Sequence, residues 1–94
     1  MAGPRPVLIV DDDDTLRRLL VEQLQIEGEF EPIEAVSVAD ARARLAAPGA
    51  RVDAILLDVT LPDGDGRDFC AELRRQGIRL PIIILTGSDD EADV

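Results

Sequence analysis

Three short apolar runs divide the chain, and each is followed by an acid or a hydroxyl. The runs and the residues that follow them are Val7 to Val10 with Asp11 to Asp14, Ala54 to Leu57 with Asp58, and Pro81 to Leu85 with Thr86. Short uninterrupted runs rich in branched residues are typical of strands buried on both faces, as in a parallel sheet covered by helices. Because open α/β folds place ligands at the carboxyl ends of their strands, we expect these polar residues to share one edge of the sheet.

Apolar residues at helical spacing occupy the segment after the first run. We predict a helix that begins near Asp14 or Thr15, with Asp13 or Asp14 as its N-cap, and that ends at Gly28. Its predicted apolar face consists of Leu16, Leu19, Leu20 and Leu24.

Two more helices and two more strands complete the pattern. The predicted helices are Val38 to Ala47, capped by Ser37 and broken by Pro48-Gly49, and Arg67 to Gln76, with Phe69, Cys70 and Leu73 inward and Gly77 as its stop. The predicted strands are Glu29 to Val36, where Pro32 indicates a sheet edge, and Ile78 to Leu85. The order β-α-β-α-β-α-β favours a doubly wound parallel sheet with right-handed crossovers, and Gly87 onward resembles the start of a further helix.

Composition narrows the function classes. At 94 residues and 46% hydrophobic content we expect one globular domain, covering residues 1–94. The net charge of −10 argues against a nucleic-acid surface in this segment and suits cations or basic partners. All basic residues are arginine, so neither histidine nor lysine is available for chemistry, and the single Cys70 cannot form an internal disulfide. Without a signal peptide or a long apolar stretch, we expect a cytoplasmic protein that does not enter membranes.

The acids at the strand ends predict a cation site. If Asp11, Asp12 and Asp58 converge, their mutual repulsion must be offset, and a hard divalent cation such as Mg²⁺ does so through oxygen ligands. One carboxylate could then act as a nucleophile toward a phosphoryl group whose charge the metal neutralises. Thr86 could donate a hydrogen bond to a phosphoryl oxygen.

These motifs, in this order, resemble the receiver domain of two-component response regulators. The matching stretches are Leu8 to Asp13, Leu56 to Asp58 with Leu61 to Gly66, and Pro81 to Gly87, within a resemblance from about Pro6 to Val94. The resemblance implies that Asp58 is the phospho-acceptor, that Asp11 and Asp12 hold Mg²⁺ with Asp58, that Thr60 offers its backbone carbonyl to the metal, and that Thr86 is the switch hydroxyl. It also implies a flavodoxin-like (CheY-like) fold, here with four strands in the order 2-1-3-4 and three helices.

The chain departs from the family pattern at its C-terminal side. The resemblance implies a fifth strand, further helices and a lysine that pairs with the phosphoryl group, and this chain has no lysine. We therefore expect a receiver truncated after the fourth strand. Its tail, Leu85 to Val94, resembles that of receivers attached to winged-helix DNA-binding domains. The exposed fourth-strand edge predicts a homodimer.

Other readings of the same residues are weaker. Asp63 to Gly66 suggests a calcium loop, but the carboxylate required at its twelfth position would fall on Arg74. The glycines Gly64 and Gly66 are better explained by a tight turn with positive φ. Asp58 followed by Thr60 also resembles haloacid-dehalogenase phosphatases, which need a second aspartate where Thr60 stands.

The leading hypothesis is a non-enzymatic signalling module that accepts a phosphoryl group on Asp58 from an external histidine kinase. A truncated receiver that is incompetent in signalling and acts as a dimerisation or interaction module is the alternative. A small phosphatase is a third hypothesis.

Overall fold

The computed structural model describes residues 3–85, in which a parallel four-stranded sheet is flanked by three helices. The elements of the fold are β1 (Arg5–Val10), α1 (Asp14–Glu27), β2 (Phe30–Ala35), α2 (Val38–Ala46), β3 (Ala54–Asp58), β4 (Thr60–Leu61), β5 (Gly64–Asp65), α3 (Gly66–Arg75) and β6 (Ile82–Leu85). The four-stranded sheet has the order β2-β1-β3-β6, and every neighbouring pair in it is parallel. The predicted fold class and the strand order 2-1-3-4 are confirmed, with β6 as the fourth strand of that sheet.

The apolar runs form the centre of the sheet, as their composition predicts. Leu8, Ile9, Val10, Ile55 and Leu57 have no measurable exposure. On one face of the sheet, Leu8, Val10, Ile55 and Leu57 pack with buried residues of α2, α3 and the loop before α3; those residues are Val38, Ala41, Leu61, Phe69 and Leu73. Burial of this aliphatic layer is the main force that holds the domain together, because hydrophobic burial is the dominant favourable term in folding.

The predicted helix ends are confirmed where a capping residue marks them. The side chain of Asp13 accepts from Leu16 N–H at the start of α1, and Ser37 accepts from Asp40 N–H at the start of α2. Gly28 ends α1 with a φ of 78°, a left-handed conformation that glycine adopts without steric penalty.

The predicted apolar face of α1 is partly wrong. Leu16 and Leu19 are 41% and 55% exposed, whereas Leu20 and Leu24 are half-buried as predicted. The stripe turned away from solvent is Arg17, Leu20, Val21 and Leu24, which also follows helical spacing. Arg17 belongs to this stripe, and its guanidinium donates hydrogen bonds to the carbonyl of Asp11, which follows β1, and to Glu34 of β2.

Three further details differ from the sequence prediction. The last strand begins at Ile82 and not at Ile78, because the carbonyls of Ile78 and Leu80 accept hydrogen bonds from Arg74 at the end of α3. The loop after β3 contains a short antiparallel hairpin, β4–β5, that was not predicted. Gly64 and Gly66 do not have positive φ, so the turn explanation for them is wrong.

No helix within residues 3–85 has both the length and the apolar character that crossing a bilayer requires.

Candidate functional site

Strand register brings the two predicted acidic segments to the same edge of the sheet. Val10 pairs with Leu57 across the parallel β1–β3 ladder, so the next residues, Asp11 and Asp58, stand side by side where the strands end. Leu85 of β6 pairs with Asp58 from the other side. The sheet therefore delivers carboxylates from two central strands to one point, as the apolar runs predicted.

Three carboxylates converge there. Asp11, Asp12 and Asp58 each offer an oxygen atom, and these oxygens lie within 4.8 Å of one another. Asp11 is 1% exposed, Asp58 is half-buried and Asp12 is exposed, so the cluster opens to solvent on the Asp12 side. A group of this size and composition could hold a divalent cation that prefers oxygen ligands.

The two inner acids are electrostatically strained. Burial raises the pKa of the Asp11 carboxyl above 3.8; the hydrogen bond from Asp13 N–H lowers it, and repulsion from Asp58 raises it again. Burial likewise raises the pKa of Asp58, the backbone amide of Thr60 opposes the change, and the charge of Asp12 adds to it. A bound cation would relieve both the burial penalty and the repulsion.

One oxygen of Asp11 has no partner among residues 3–85. Its Oδ1 accepts from Asp13 N–H at 2.9 Å, whereas its Oδ2 is buried without a hydrogen bond. A buried acceptor left unpaired is costly, and a metal ligand position is one of the few explanations for it. The chemistry of the donor set therefore fits Mg²⁺.

Arg17, which sequence reasoning missed, supports this site through hydrogen bonds to the residues around it. Its guanidinium is buried and donates to the main-chain carbonyl of Asp11 at 2.8 Å, to Glu34 at 2.8 Å and to Asp14 at 2.7 Å. An arginine at a position that would otherwise continue the apolar stripe of α1 was the available signal.

The loop after Asp58 is held close by two residues whose roles were also missed. A methyl group on Gly66 would overlap the carbonyl oxygen of Asp58, so only glycine allows α3 to begin this near the strand end. The carboxylate of Asp63 accepts from Val38 N–H at 2.8 Å and from Ala39 N–H at 2.9 Å, which ties the loop to the first turn of α2.

The remaining predicted site residues stand as follows. Thr60 is exposed and is the first residue of β4, two positions after Asp58; its carbonyl as a metal ligand stays a prediction. Thr86 lies outside the described residues, immediately after the last residue of β6.

The parallel sheet with its helices is an α/β fold, and the acids at the carboxyl edge of the sheet form a candidate cation site. Comparison with known proteins identifies the family. The family model described as the response regulator receiver domain matches residues 7–94. The chain therefore belongs to the receiver domains of two-component response regulators.

Similar proteins agree with this assignment. The chain is 44% identical over 88 residues to the DNA-binding transcriptional activator DevR/DosR of Mycobacterium tuberculosis. This match covers 92% of this chain and 40% of that protein. It is 39% identical over 87 residues to the KDP operon transcriptional regulatory protein KdpE of Escherichia coli. That match covers 93% of this chain and 37% of KdpE. The chain thus spans well under half the length of these relatives.

Among solved structures, the response regulator TrrA of Thermotoga maritima, in complex with Mg²⁺ and a beryllium fluoride, superposes with a TM-score of 0.80. It is 31% identical, and the match covers 96% of this chain and 76% of TrrA.

Proposed function

We propose that this domain accepts a phosphoryl group on Asp58, with Mg²⁺ held by Asp11, Asp12, Asp58 and the backbone carbonyl of Thr60. The observation that carries the proposal is the cluster of three carboxylate oxygens within 4.8 Å, built at the ends of β1 and β3. Membership of the receiver family and the likeness to TrrA with Mg²⁺ support it.

Asp58 has the position of a nucleophile. It is half-buried at the last residue of β3, so one face is open to a phospho-donor while the main chain around it is fixed by the sheet. In the proposed step, a carboxylate oxygen of Asp58 forms a bond to phosphorus as the bond from phosphorus to the donor breaks, and the electron pair of that bond stays with the donor.

A divalent cation, when bound, neutralises charge that would otherwise repel an incoming phosphoryl group. Asp11 contributes a buried oxygen that no hydrogen bond uses among the described residues, and Asp12 contributes an exposed one. Thr86, which follows β6, is proposed to donate its hydroxyl to a phosphoryl oxygen.

The proposed donor is a histidine kinase. These 94 residues contain no histidine, so the proposed phosphohistidine lies outside this segment, and the proposed role of the domain is that of acceptor. We also propose a cytoplasmic role within a transcription regulator, since DevR/DosR and KdpE are transcriptional proteins. With a net charge of −10, this segment is not proposed to touch DNA.

Acetyl phosphate or BeF₃⁻, each with Mg²⁺, tests the proposal. We expect one adduct per chain by intact-mass measurement or by fluorine NMR, and none in the Asp58→Asn variant. Asp53→Asn is the matched control, because Asp53 is a half-buried aspartate just before the opposite end of β3. An adduct that persists in Asp58→Asn would place the acceptor elsewhere.

A second candidate is a receiver that no longer signals and serves as an interaction module. The 54% exposure of Ile83 on β6 favours it, since an apolar strand at the edge of the described sheet is a template for pairing. A folded wild type that forms no adduct in the same experiment would support this candidate over the first.

A further inference from the structure

We propose that Arg17 is a positioning residue for the cation site and acts through the main-chain carbonyl of Asp11. The inference rests on the proposed binding of Mg²⁺ by Asp11, Asp12 and Asp58. It concerns a residue of α1 whose own side chain does not enter the carboxylate cluster.

The main chain of Asp11 is fixed on both sides. Its N–H donates to the carbonyl of Ala35 at the end of β2, at 3.1 Å, and its carbonyl accepts from Nη1 of Arg17 at 2.8 Å. Its Oδ1 accepts from Asp13 N–H, so the buried Oδ2 is the remaining free oxygen among the described residues. The direction of Oδ2 therefore depends on how the backbone of Asp11 is held.

Arg17 itself is held rigidly. It is 8% exposed, and its other nitrogens donate to Glu34 of β2 and to Asp14 of α1. Three hydrogen bonds from one planar guanidinium join the end of β1, the adjacent edge strand and the first turn of α1. These bonds connect three of the elements that lie next to the Asp11–Asp12 segment.

The charge of Arg17 acts against cation binding, so its usefulness must be geometric. A positive group near the site repels Mg²⁺, and the ion pairs with Asp14 and Glu34 reduce that repulsion. If charge alone mattered, removal of the guanidinium would strengthen Mg²⁺ binding. If positioning dominates, the same change weakens it, and the two accounts predict opposite signs.

Titration calorimetry of Mg²⁺ at pH 7 decides between them. The chain has no tryptophan or tyrosine, so calorimetry is preferable to intrinsic fluorescence. We expect Arg17→Gln and the charge-conserving Arg17→Lys each to weaken Mg²⁺ binding by roughly tenfold or more, in line with the effect of groups that orient metal ligands. Lysine keeps the charge but cannot reproduce the three-pronged contact.

Arg18→Gln is the matched control. Arg18 is the next residue of α1 and is exposed, and its side chain forms no hydrogen bond or ion pair within residues 3–85. Its loss removes the same charge without touching Asp11, so Mg²⁺ binding should stay the same or become slightly tighter. Amide NMR shifts of Asp11 to Asp13 during the titration give a readout that does not depend on phosphorylation.

Each outcome bears on the inference. Binding by Arg17→Gln that equals or exceeds wild type, or unchanged binding by Arg17→Lys, would overturn it while leaving the proposed function intact. A wild type that binds no Mg²⁺ would remove the proposed cation site itself. Circular dichroism at the titration temperature checks folding, and if neither variant folds, Arg17 is a folding residue and the positioning role is rejected.

Discussion

Asp11 combines two properties that oppose each other in a folded protein. Its carboxyl is almost completely buried, and it lies beside two further acids with one oxygen unpaired among the described residues. Both conditions favour the neutral form, which is why its pKa is raised. At neutral pH without metal, the residue therefore lowers the stability of the domain, and this strain is characteristic of sites shaped for a ligand.

Asp11→Asn should make the metal-free domain more stable at pH 7. A raised folded pKa means that the native state binds more protons than the unfolded state, so stability is present below pH 3.8 and is lost as the pH rises through the folded pKa. The asparagine variant lacks this loss. In urea denaturation with EDTA, the variant should have a higher urea midpoint than wild type at pH 7, and this difference should shrink toward pH 4.

Asp53→Asn is the control for that series, since Asp53 lies outside the cluster and its variant should not show a comparable gain. A wild type that is as stable as Asp11→Asn at pH 7 would contradict the prediction.

Metal addition should stabilise wild type more than Asp11→Asn. At a Mg²⁺ concentration ten times its dissociation constant, binding to the native state alone stabilises by about 1.4 kcal/mol. Wild type should gain about this amount when Mg²⁺ replaces EDTA, and Asp11→Asn should gain much less because it lacks a ligand. Equal gains in both proteins, measured by urea denaturation, would show that Asp11 does not bind the ion.

Single residues were predictable where pattern and chemistry coincide. Asp11 and Asp58 each follow an apolar run, and parallel strands must end at a common edge, so their proximity followed from sequence. Arg17 was hidden because a charged residue is normally placed on the solvent face of a helix, whereas its partners Glu34 and the carbonyl of Asp11 become neighbours only after folding.

Among the elements, α3 has a start that is closely constrained by main-chain contacts. Gly66 donates its N–H to the carbonyl of Val59 at 2.7 Å, and a side chain there would meet the carbonyl group of Asp58. Because the contact is with the main chain, it cannot be relieved by turning a side chain. The helix can therefore begin at this place only with glycine.

Gly66→Ala should destabilise the domain by about 1–3 kcal/mol, the usual range for overpacking. It should also displace the backbone of Asp58 and reduce adduct formation with BeF₃⁻. Gly64→Ala is the matched control, since its added methyl would meet Val38 Cγ2 at an ordinary 3.4 Å. Equal urea midpoints for the two variants would refute the steric argument.

Asp63 joins the acceptor loop to α2 by a contact that should depend on pH. Hydrogen bonds from Ala39 N–H and Val38 N–H hold its pKa below 3.8. A lowered folded pKa contributes stability that is present above pH 3.8 and is lost as the pH falls through the folded value. Asp63→Ala should thus lower the thermal midpoint at pH 7 and have little effect in strong acid.

Glu22→Ala, which removes an exposed carboxylate from α1, should leave the thermal midpoint nearly unchanged. A pH-independent effect of Asp63→Ala would indicate lost packing and not the carboxylate contact.

Elements were predictable to the extent that their signals are local. Caps at Asp13, Ser37 and Gly28 marked helix ends because each acts within its own turn. The β4–β5 hairpin has two residues in each strand, too few for any alternation to be visible. The start of β6 was misplaced because Arg74 engages the carbonyls of Ile78 and Leu80, a contact made from another element.

At the scale of the whole molecule, self-association is the remaining prediction. β6 pairs with β3 on one side, and Ile83 stands 54% exposed on it. We expect a dimer or larger assembly whose mass, by light scattering, rises with concentration. Ile83→Lys should shift the 94-residue chain toward monomer, because β6 is the last strand of the sheet within residues 3–85 and a charge on such a strand discourages pairing. A monomer mass independent of concentration would refute this.

The central place of β1 has a consequence for how the chain acquires its shape. Strand β1 has β2 on one side and β3 on the other, so its second neighbour along the chain is supplied by residues 54–58. The entropy cost of closing that long loop arises before the β1–β3 contacts can stabilise the chain. Folding is therefore slower than in domains built from local contacts. During synthesis, the apolar residues 7–10 therefore lack one of their two neighbouring strands until residues 54–58 have left the ribosome.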